Sequence, residues 1–494
     1  MNILEKAIDL FSPEWAYKRA VYRKAKREYE AAKVDRYTDT WMPITGDTEN
    51  LEKGERQLIM ARGRYLEKNS DVALGGVKLV VNNAVGTGIR PQARTDAESL
   101  NEKIEKAWEQ WTQPENCDIT GQQTFYEMQQ MALRRKIVDG EAFVKKVSRK
   151  RDGIPFELQF ISPDLLDTSL TYAPKTSNII RSGIELDDYL KPLAYWIIKK
   201  SPDGYLTFDS DRYPADGILH LWTKEYPDQI RGISDLVTSM RRIKDTDDYI
   251  FAEQIAARIA ASFAVFITNS IPPTRLGRQM DGNKKPLNNI APGMVYELEN
   301  GQSIQTANPS RNPSQIEGFV NVEQRITARG QGLSYEAFTG DYSKSSFSAA
   351  RQGQTQDMKT YVGVQKWVVS HFCKPVYESF MDAAVMSGAL VIRDYWSNRE
   401  KYLACDWIAP GWDWIDPQKE ASADIMKLKN AGMTLSDWCA SRGKDWRTQL
   451  KQMAVEKAEA ESLGLKLSIH TPETVQAAEA NHSENDDKET ENGE

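Results

Sequence analysis

Asp245, Asp247 and Asp248 could together hold a divalent cation, and Pro163-Asp164 with Asp167 has the outline of a metal-dependent nuclease fragment. No acidic-x-Lys partner follows at a usable distance, so cleavage chemistry and a resident metal are not expected. The chain has no G-x-x-x-x-G-K-[ST] phosphate loop, no H-E-x-x-H, no G-x-S-x-G and no paired Cys/His spacing. Gly86 and Gly88 begin a dinucleotide-binding pattern but lack its third glycine and run into Arg90-Pro91, which reads as a tight turn. Of the four histidines, His470 and His482 lie in or beside an acidic C-terminal stretch, and His220 sits in an apolar strand as a core histidine would. Trp108, Trp111 and Phe125 have the rings to stack bases. Their helical spacing beside Ile104 and Met131 favours core packing instead.

Lys344 differs from these groups. It lies in Ser334-Tyr-Glu-Ala-Phe-Thr-Gly-Asp-Tyr-Ser-Lys-Ser-Ser-Phe-Ser-Ala-Ala-Arg351, a polar stretch punctuated by Gly340. A cation placed among the hydroxyls of Tyr342, Ser343, Ser345 and Ser346 on an exposed loop can touch phosphate oxygens without reading a base. Upstream, residues 316–331 carry helical spacing that stops at Gly330 and Gly332, where left-handed backbone is cheap. Downstream, helical periodicity runs over 347–390, with Pro375 expected to kink it. The loop is therefore expected at a helical hairpin tip.

The elements around it complete an α+β plan. Residues 234–267 form the best long helical pattern, with Ser234 and Asp235 as start signals and no Gly or Pro inside. Ala252, Ala256, Ala260 and Ala264 recur at every fourth position of it, with Ala257 and Ala261 alongside. Two readings stand side by side: alanine as simply the best helix former, or alanine as a ridge that lets a neighbouring helix approach closely. Between 269 and 315, Pro272, Pro273, Pro286, Pro292, Pro309 and Pro313 exclude a continuing helix, and 294–298 reads as a short β segment. From 41 to 230, helical patterns over 71–83 and 102–113 mix with strand patterns over 141–147, 156–161, 193–199 and 218–223. After Asp394 come Trp396, Trp407, Trp412 and Trp414, then two more helical patterns up to Gly464.

A chain of 494 residues with 40% apolar and 27% charged side chains exceeds one compact core and predicts two or more lobes. Cys117, Cys373, Cys405 and Cys439 are far apart, as reduced core thiols of a cytoplasmic protein would be. Neither a signal peptide nor a membrane span is expected, because the best apolar stretch, 255–268, is short and carries Arg258. The formal charge of −7 equals that of the tail from Thr471 onward, which has eight acidic residues against one Lys, so the rest of the chain is balanced. A balanced body argues against tight binding of duplex DNA, which calls for a basic excess. The tail is too polar to offset its chain entropy and reads as disordered or partner-binding. Lys18, Arg19, Arg23, Lys24, Lys26, Arg27, Lys33 and Arg36 fit a basic amphipathic helix, either a solvated face or a contact for nucleic acid or an acidic partner. No repeat of 20 to 50 residues points to a solenoid.

Several segments, in order, carry a resemblance. They are Ala61-Arg-Gly-Arg-Tyr-Leu66 with Asn69; Asn82-Asn-Ala-Val-Gly-Thr-Gly-Ile-Arg-Pro91; Trp108, Trp111, Cys117, Asp118 and Gly121; and Gly140-Glu-Ala-Phe-Val144. Next come Tyr213-Pro-Ala215 with Ile218-Leu-His220; Gln229-Ile-Arg-Gly-Ile-Ser234; the polar loop; and Asp416-Pro-Gln-Lys-Glu420 with Gly432 and Thr434. Over about 56–465 the chain resembles the lambda-type portal proteins of tailed phages and prophages. Within the loop, Ser346, Phe347 and Ala349 stand where that family usually has Asn, Tyr and Ser.

The resemblance implies a portal fold: an α/β wing, paired long stem helices, a β-containing clip and a helical crown. In this chain it implies a basic arm at 1–40, the wing at 41–233, stem helices at 234–267 and 316–332 flanking a clip at 268–315, and a tunnel loop at 333–346. A long wing helix at 347–390, the wing edge and crown at 391–470 and the acidic tail at 471–494 complete it. It further implies a non-enzymatic subunit of a closed ring, a dodecamer in that family, at one capsid vertex of the virion, assembled in the host cytoplasm. Double-stranded DNA would pass through the ring without sequence preference. The terminase large subunit, major capsid and scaffold proteins and head-tail connector proteins are the implied partners. No cofactor is needed, because a separate terminase supplies the energy of packaging. A DNA-processing enzyme or packaging nuclease is the alternative from another class, and a head-tail adaptor would be shorter and lack the paired helices.

Overall fold

The computed structural model describes residues 46–150, 152–174, 178–201, 203–261, 265–269, 302–306, 314–412 and 417–464. The chain divides into two compact units, 1–52 and 53–494; the described part of the first is one helical turn, Thr48–Glu52.

The second unit begins with helices α1 (Arg56–Asn69) and α2 (Asp71–Ala84), strand β1 (Arg90–Ala93) and helices α3 (Glu98–Trp111) and α4 (Phe125–Asp139). Helix α3 forms because Ile104, Trp108 and Trp111 return to one face at i, i+4 and i+7, and all three are buried. A capping box opens α4. The Glu127 amide donates to the Thr124 hydroxyl at 3.2 Å, and the Thr124 amide donates to the Glu127 carboxylate at 2.7 Å. Gly140, at φ 92°, ends it in left-handed backbone.

Strands β2 (Glu141–Val147), β3 (Glu157–Ile161) and β8 (Ile218–Trp222) form an antiparallel sheet ordered β3-β2-β8. Strands β4 (Ile179–Arg181), β5 (Ile184–Leu186), β6 (Pro192–Lys200) and β7 (Leu206–Pro214) form a second sheet in sequence order. Trp108 and Trp111, with ring centroids 5.0 Å apart, pack with Phe125, Phe156, Tyr377 and Phe380 into the largest core. The indole of Trp111 donates to the Phe156 carbonyl at 2.7 Å, so these rings are core and not a stacking platform for bases. Cys117, Cys373 and Cys439 are buried free thiols, Cys405 is half-buried, and burial pushes the Cys117 thiol up to about 12.

Helix α5 (Val237–Ala261) and strand β9 (Val265–Asn269) follow, and β9 pairs antiparallel with β10 (Gln302–Thr306). The helix expected to reach 267 thus gives way to a strand by 265. Val265, Phe266, Ile267 and Thr268 are strand formers, and pairing with β10 overrides their helical spacing. The expected β segment at 294–298 lies outside the described residues. Helices α6 (Ser314–Gly330), α7 (Tyr335–Thr339) and α8 (Phe347–Val368) come next. A π-helical turn, Val369–Cys373, joins α8 to α9 (Lys374–Met386). Pro375 sits in the first turn of α9, and the wider turn just before it removes the clash its ring would make in a regular helix. Strand β11 (Cys405–Ile408) pairs with β1, and α10 (Pro417–Lys429), α11 (Leu435–Ala440) and α12 (Trp446–Ser462) end the described chain. Among the described residues, no helix is long and apolar enough to cross a membrane.

Three motifs distant in sequence meet at the root of α5. The Arg231 Nε donates to Glu141 Oε1 at 2.9 Å, the Gly232 amide to Glu141 Oε2 at 3.3 Å, and His220 Nε2 lies 2.9 Å from Glu141 Oε2. Arg231 also donates to the carbonyls of Ser182 at 3.2 Å and Pro163 at 3.4 Å. Burial by itself would raise the Glu141 carboxyl, but the Arg231 charge and the His220 bond overcome it and hold the group at about 2. Burial also depresses His220, so its ring is neutral near pH 7 and Nε2–H is the donor.

Both groups titrate lower in the folded state than in the unfolded one, so their stabilisation is complete above the unfolded values and lost as pH falls. Acid should weaken the fold first below the ordinary histidine value of 6.5 and again between 4.5 and about 2, and Glu141→Gln should flatten the second phase in an acid titration followed by tryptophan fluorescence. A Cβ at Gly140 would lie 2.3 Å from the Ile233 carbonyl carbon, whereas Gly121, at φ 68°, has nothing within 4 Å. Gly121→Ala should therefore cost only backbone strain, about 1–3 kcal/mol, and Gly140→Ala clearly more, read as the two midpoints of denaturant unfolding.

Candidate channel-loop site

Helices α5 and α6 run antiparallel. Ser239 meets Gln331 at 3.2 Å, Arg242 pairs with Glu323 at 3.2 Å, and the rings of Tyr249 and Phe319 meet at 4.9 Å, so positions rise on one helix as they fall on the other. Gly330 lets α6 come close, since a Cβ there would lie 2.9 Å from the Ser239 hydroxyl. Gly332, at φ 71°, then turns the chain back, and the Thr360 hydroxyl on α8 donates to its carbonyl at 3.0 Å.

The stretch 333–346 is more ordered than a bare loop. Ser334 caps α7 by accepting the Ala337 amide at 3.3 Å, and Gly340, at φ 71°, ends that helix. Ser346 caps α8 in the same way through the Ala349 amide at 3.3 Å. Between the caps, Asp341 accepts from the amide and hydroxyl of Ser343 at 3.0 and 2.6 Å, which lowers its carboxyl. The Ser345 hydroxyl donates to Glu336 at 3.1 Å, and Tyr342 is exposed. The stretch folds this way because Ser, Asp and Gly satisfy backbone groups over short spans.

Two outside anchors hold the stretch. Asp357 on α8 is buried and accepts from the amide and hydroxyl of Ser334 at 2.7 and 2.5 Å. Burial raises its carboxyl more than these two bonds lower it. The second anchor is one face of α6. Glu317, Asn321 and Arg325, spaced by four, meet Lys344 through an ion pair, the Tyr335 hydroxyl at 3.2 Å and the Tyr335 ring at 5.0 Å. The hydrogen bond within the Lys344–Glu317 pair raises the lysine and lowers the glutamate. Both partners are exposed, so the tether is weak and screened by salt.

The structure thus brings Tyr342, Ser343, Lys344, Ser345 and Ser346 together at one tip, with Lys344 engaged by a carboxylate rather than free. Of the alanine series, Ala252 is exposed and Ala256 half-buried on α5, Ala260 lies within the helix, and Ala264 is outside the described residues. The sequence reading missed Asp357 and the Glu317, Asn321 and Arg325 face. It took Arg351 only as the end of the polar stretch and passed over the cations Arg329 and Lys359; the three line a cleft of about 740 Å3 beside the loop. Four-residue spacing on α6 and α8 was the available signal.

Four of the five acidic groups considered for metal chemistry are otherwise engaged, Asp167 by the amide and hydroxyl of Ser169 at 3.0 and 2.5 Å. Asp164 pairs with Arg64 at 2.7 Å, Asp245 with Arg241 at 3.5 Å, and Asp248 with Lys244. Among the described residues, no three His, Cys, Asp or Glu side chains converge on a metal position. Gly86 and Gly88, at φ 49° and 110°, form a tight turn after α2 against Tyr126 and Pro410.

The "Probable portal protein" of Halomonas phage phiHAP-1 is 24% identical over 457 residues, covering 89% of this chain and 88% of that one. "Portal protein B" of Escherichia phage lambda is 23% identical over 456 residues, covering 82% and 84%. Among solved structures, a chain of the virion of a native gene transfer agent particle is similar at a TM-score of 0.43 and 12% identity, over 76% of this chain and 89% of that one. A chain from the neck of the empty particle, computed with C6 symmetry, gives 0.44 and 14%, over 79% and 93%. The family described as phage portal protein, lambda family, matches residues 35–365. That match spans well over half of the chain, which therefore belongs to the lambda family of phage portal proteins, structural components of the phage particle and not enzymes.

Proposed function

We propose that this chain is one subunit of a closed ring, a dodecamer, at a single capsid vertex, through which double-stranded DNA enters during packaging and leaves at ejection. The observation that carries the reading is the polar tip at 333–346, fixed by Asp357 and by the α6 face, between α6 and α8 in a portal-family chain. In this reading 53–233 is the wing, α5 and α6 are the stem, and β9 with β10 is the described part of the clip. Residues 391–464 make the wing edge and crown, and the tip is the tunnel loop. The subunit is built in the host cytoplasm with capsid and scaffold proteins. It docks the terminase large subunit and later the head-tail connectors. A charge-balanced body lets DNA slide, because phosphate contacts stay few and weak.

Ring closure requires a heterologous contact repeated until the rotation closes. The exposed side of α5 at Ala252 and Ala256 fits a helix of the adjacent subunit, since small residues permit close approach. Native mass measurement and negative-stain images of the purified chain should show a large ring with a central hole; a monomer or dimer would refute the assignment. Added methylenes at such a contact cost about 1–3 kcal/mol. Ala252→Leu with Ala256→Leu should therefore lower ring yield, and an unchanged yield would remove this face from the interface.

Terminase docking is assigned to the clip, an excursion between helices that pack without it. Replacing 270–301 by a short Gly/Ser linker should leave rings intact and abolish terminase pull-down. Retained binding would place docking elsewhere.

A further inference from the structure

Arg329, at the end of α6, and Arg351 and Lys359, on the second and fourth turns of α8, line one open cleft with Gln352, Thr355 and Gln356. Arg351, Thr355 and Lys359 lie at i, i+4 and i+8, so the two cations stand on one face of α8, about 12 Å apart along its axis. None of the three cations has an ion-pair partner among the described residues, although each is exposed. The only acidic residue of α8 is Asp357, which is buried and turned to Ser334. The exposed face of this helix therefore carries positive charge with no carboxylate of its own to neutralise it. Lys344 is in the opposite situation, because Glu317 already occupies its ammonium.

We propose that the Arg329, Arg351 and Lys359 cleft is the surface that binds the phosphodiester backbone of DNA in the channel, and that Lys344 serves as a tether of the tip rather than a DNA contact. The inference rests on the channel reading above and deepens it. Guanidinium groups suit phosphate because their donors match its oxygens in pairs, and an arginine without a carboxylate partner has those donors available. The amides of Gln352 and Gln356 add uncharged donors that grip no particular base, while the Thr355 hydroxyl donates to the Arg351 carbonyl at 2.9 Å. Two cations about 12 Å apart along a helix reach separate phosphates, each contact weak enough for the duplex to move on. The Lys344–Glu317 tether keeps the tip against α6, beside the cleft and not across it.

The test uses rings assembled from the full chain and a fluorescent blunt-ended duplex, with binding followed by anisotropy from about 50 to about 200 mM salt. Arg351→Gln with Lys359→Gln should weaken binding and reduce the steepness of log affinity against log salt, by about 0.9 for each phosphate that is no longer neutralised. Arg351→Lys, which keeps the charge, should retain the parent slope, and so should Lys344→Gln. A parent-like slope in the double variant, with weakened binding in Lys344→Gln, would overturn the cleft while leaving the channel reading intact. Failure of a correctly folded double variant to form rings would make the cleft a contact between subunits and would also overturn the proposal. Inorganic phosphate at matched ionic strength should not displace the duplex; displacement would mark a site for free phosphate instead. Parent rings that bind no duplex at any salt would instead refute the channel reading itself.

Discussion

The buried contact between Glu141 and Arg231 is the constraint on which the remaining geometry depends. It joins the first residue of β2 to the segment that leads into α5, with side chains 1% and 5% exposed. A buried ion pair is weak evidence for stability, because removing two charges from water costs about as much as their attraction returns. Its effect here is positional. Arg231 also binds carbonyls at Pro163 and at Ser182, a left-handed non-glycine residue at φ 48°, so one guanidinium fixes two turns, a strand and the start of the long helix. Gly140 and Gly232 make the approach possible, since a Cβ on Gly232 would lie 2.1 Å from the Gly140 carbonyl oxygen. Losing either partner would leave an uncompensated charge in the core and free the root of α5 to reorient.

From that root, orientation passes outward through packing. Helix α5 positions α6 by the Arg242–Glu323 pair and the Tyr249–Phe319 contact, α6 presents Glu317, Asn321 and Arg325 to the tip, and α8 clamps Ser334 through Asp357. The clamp is rigid because Asp357 is buried and both its oxygens accept. The α6 tether is loose because Lys344 and Glu317 are solvated. In the proposed channel, a tip held firmly at its base and loosely at its end would yield to a passing duplex and return.

Much of this was legible in the sequence where one residue type has few options. The helical spacing of Trp108 and Trp111 beside Ile104 read as core packing, and all three are buried; the motifs around Glu141, His220 and Arg231 carried the family resemblance before their meeting was visible. The end of α5 was not legible, because its alanine-rich run is followed by Val265, Phe266 and Ile267, whose strand pairing is decided by β10 more than thirty residues away. Lys344 was correctly placed on an exposed tip, but its carboxylate partner sits 27 positions upstream, and no local pattern announces such a pair. Arg351 was read only as the end of the polar stretch and Lys359 not at all, for a related reason: a charged position on an amphipathic helix looks the same whether or not a carboxylate faces it.

The central claim is that the tip and the adjoining α8 face look into a channel that carries duplex DNA. An electron cryomicroscopy map of the DNA-filled particle tests it most directly. The account predicts a ring whose narrowest passage is formed by 333–346, with duplex density running past Arg351 and Lys359 within hydrogen-bonding reach of the phosphates. A map that buries this face between subunits, or turns the tip away from the ring axis, would contradict it.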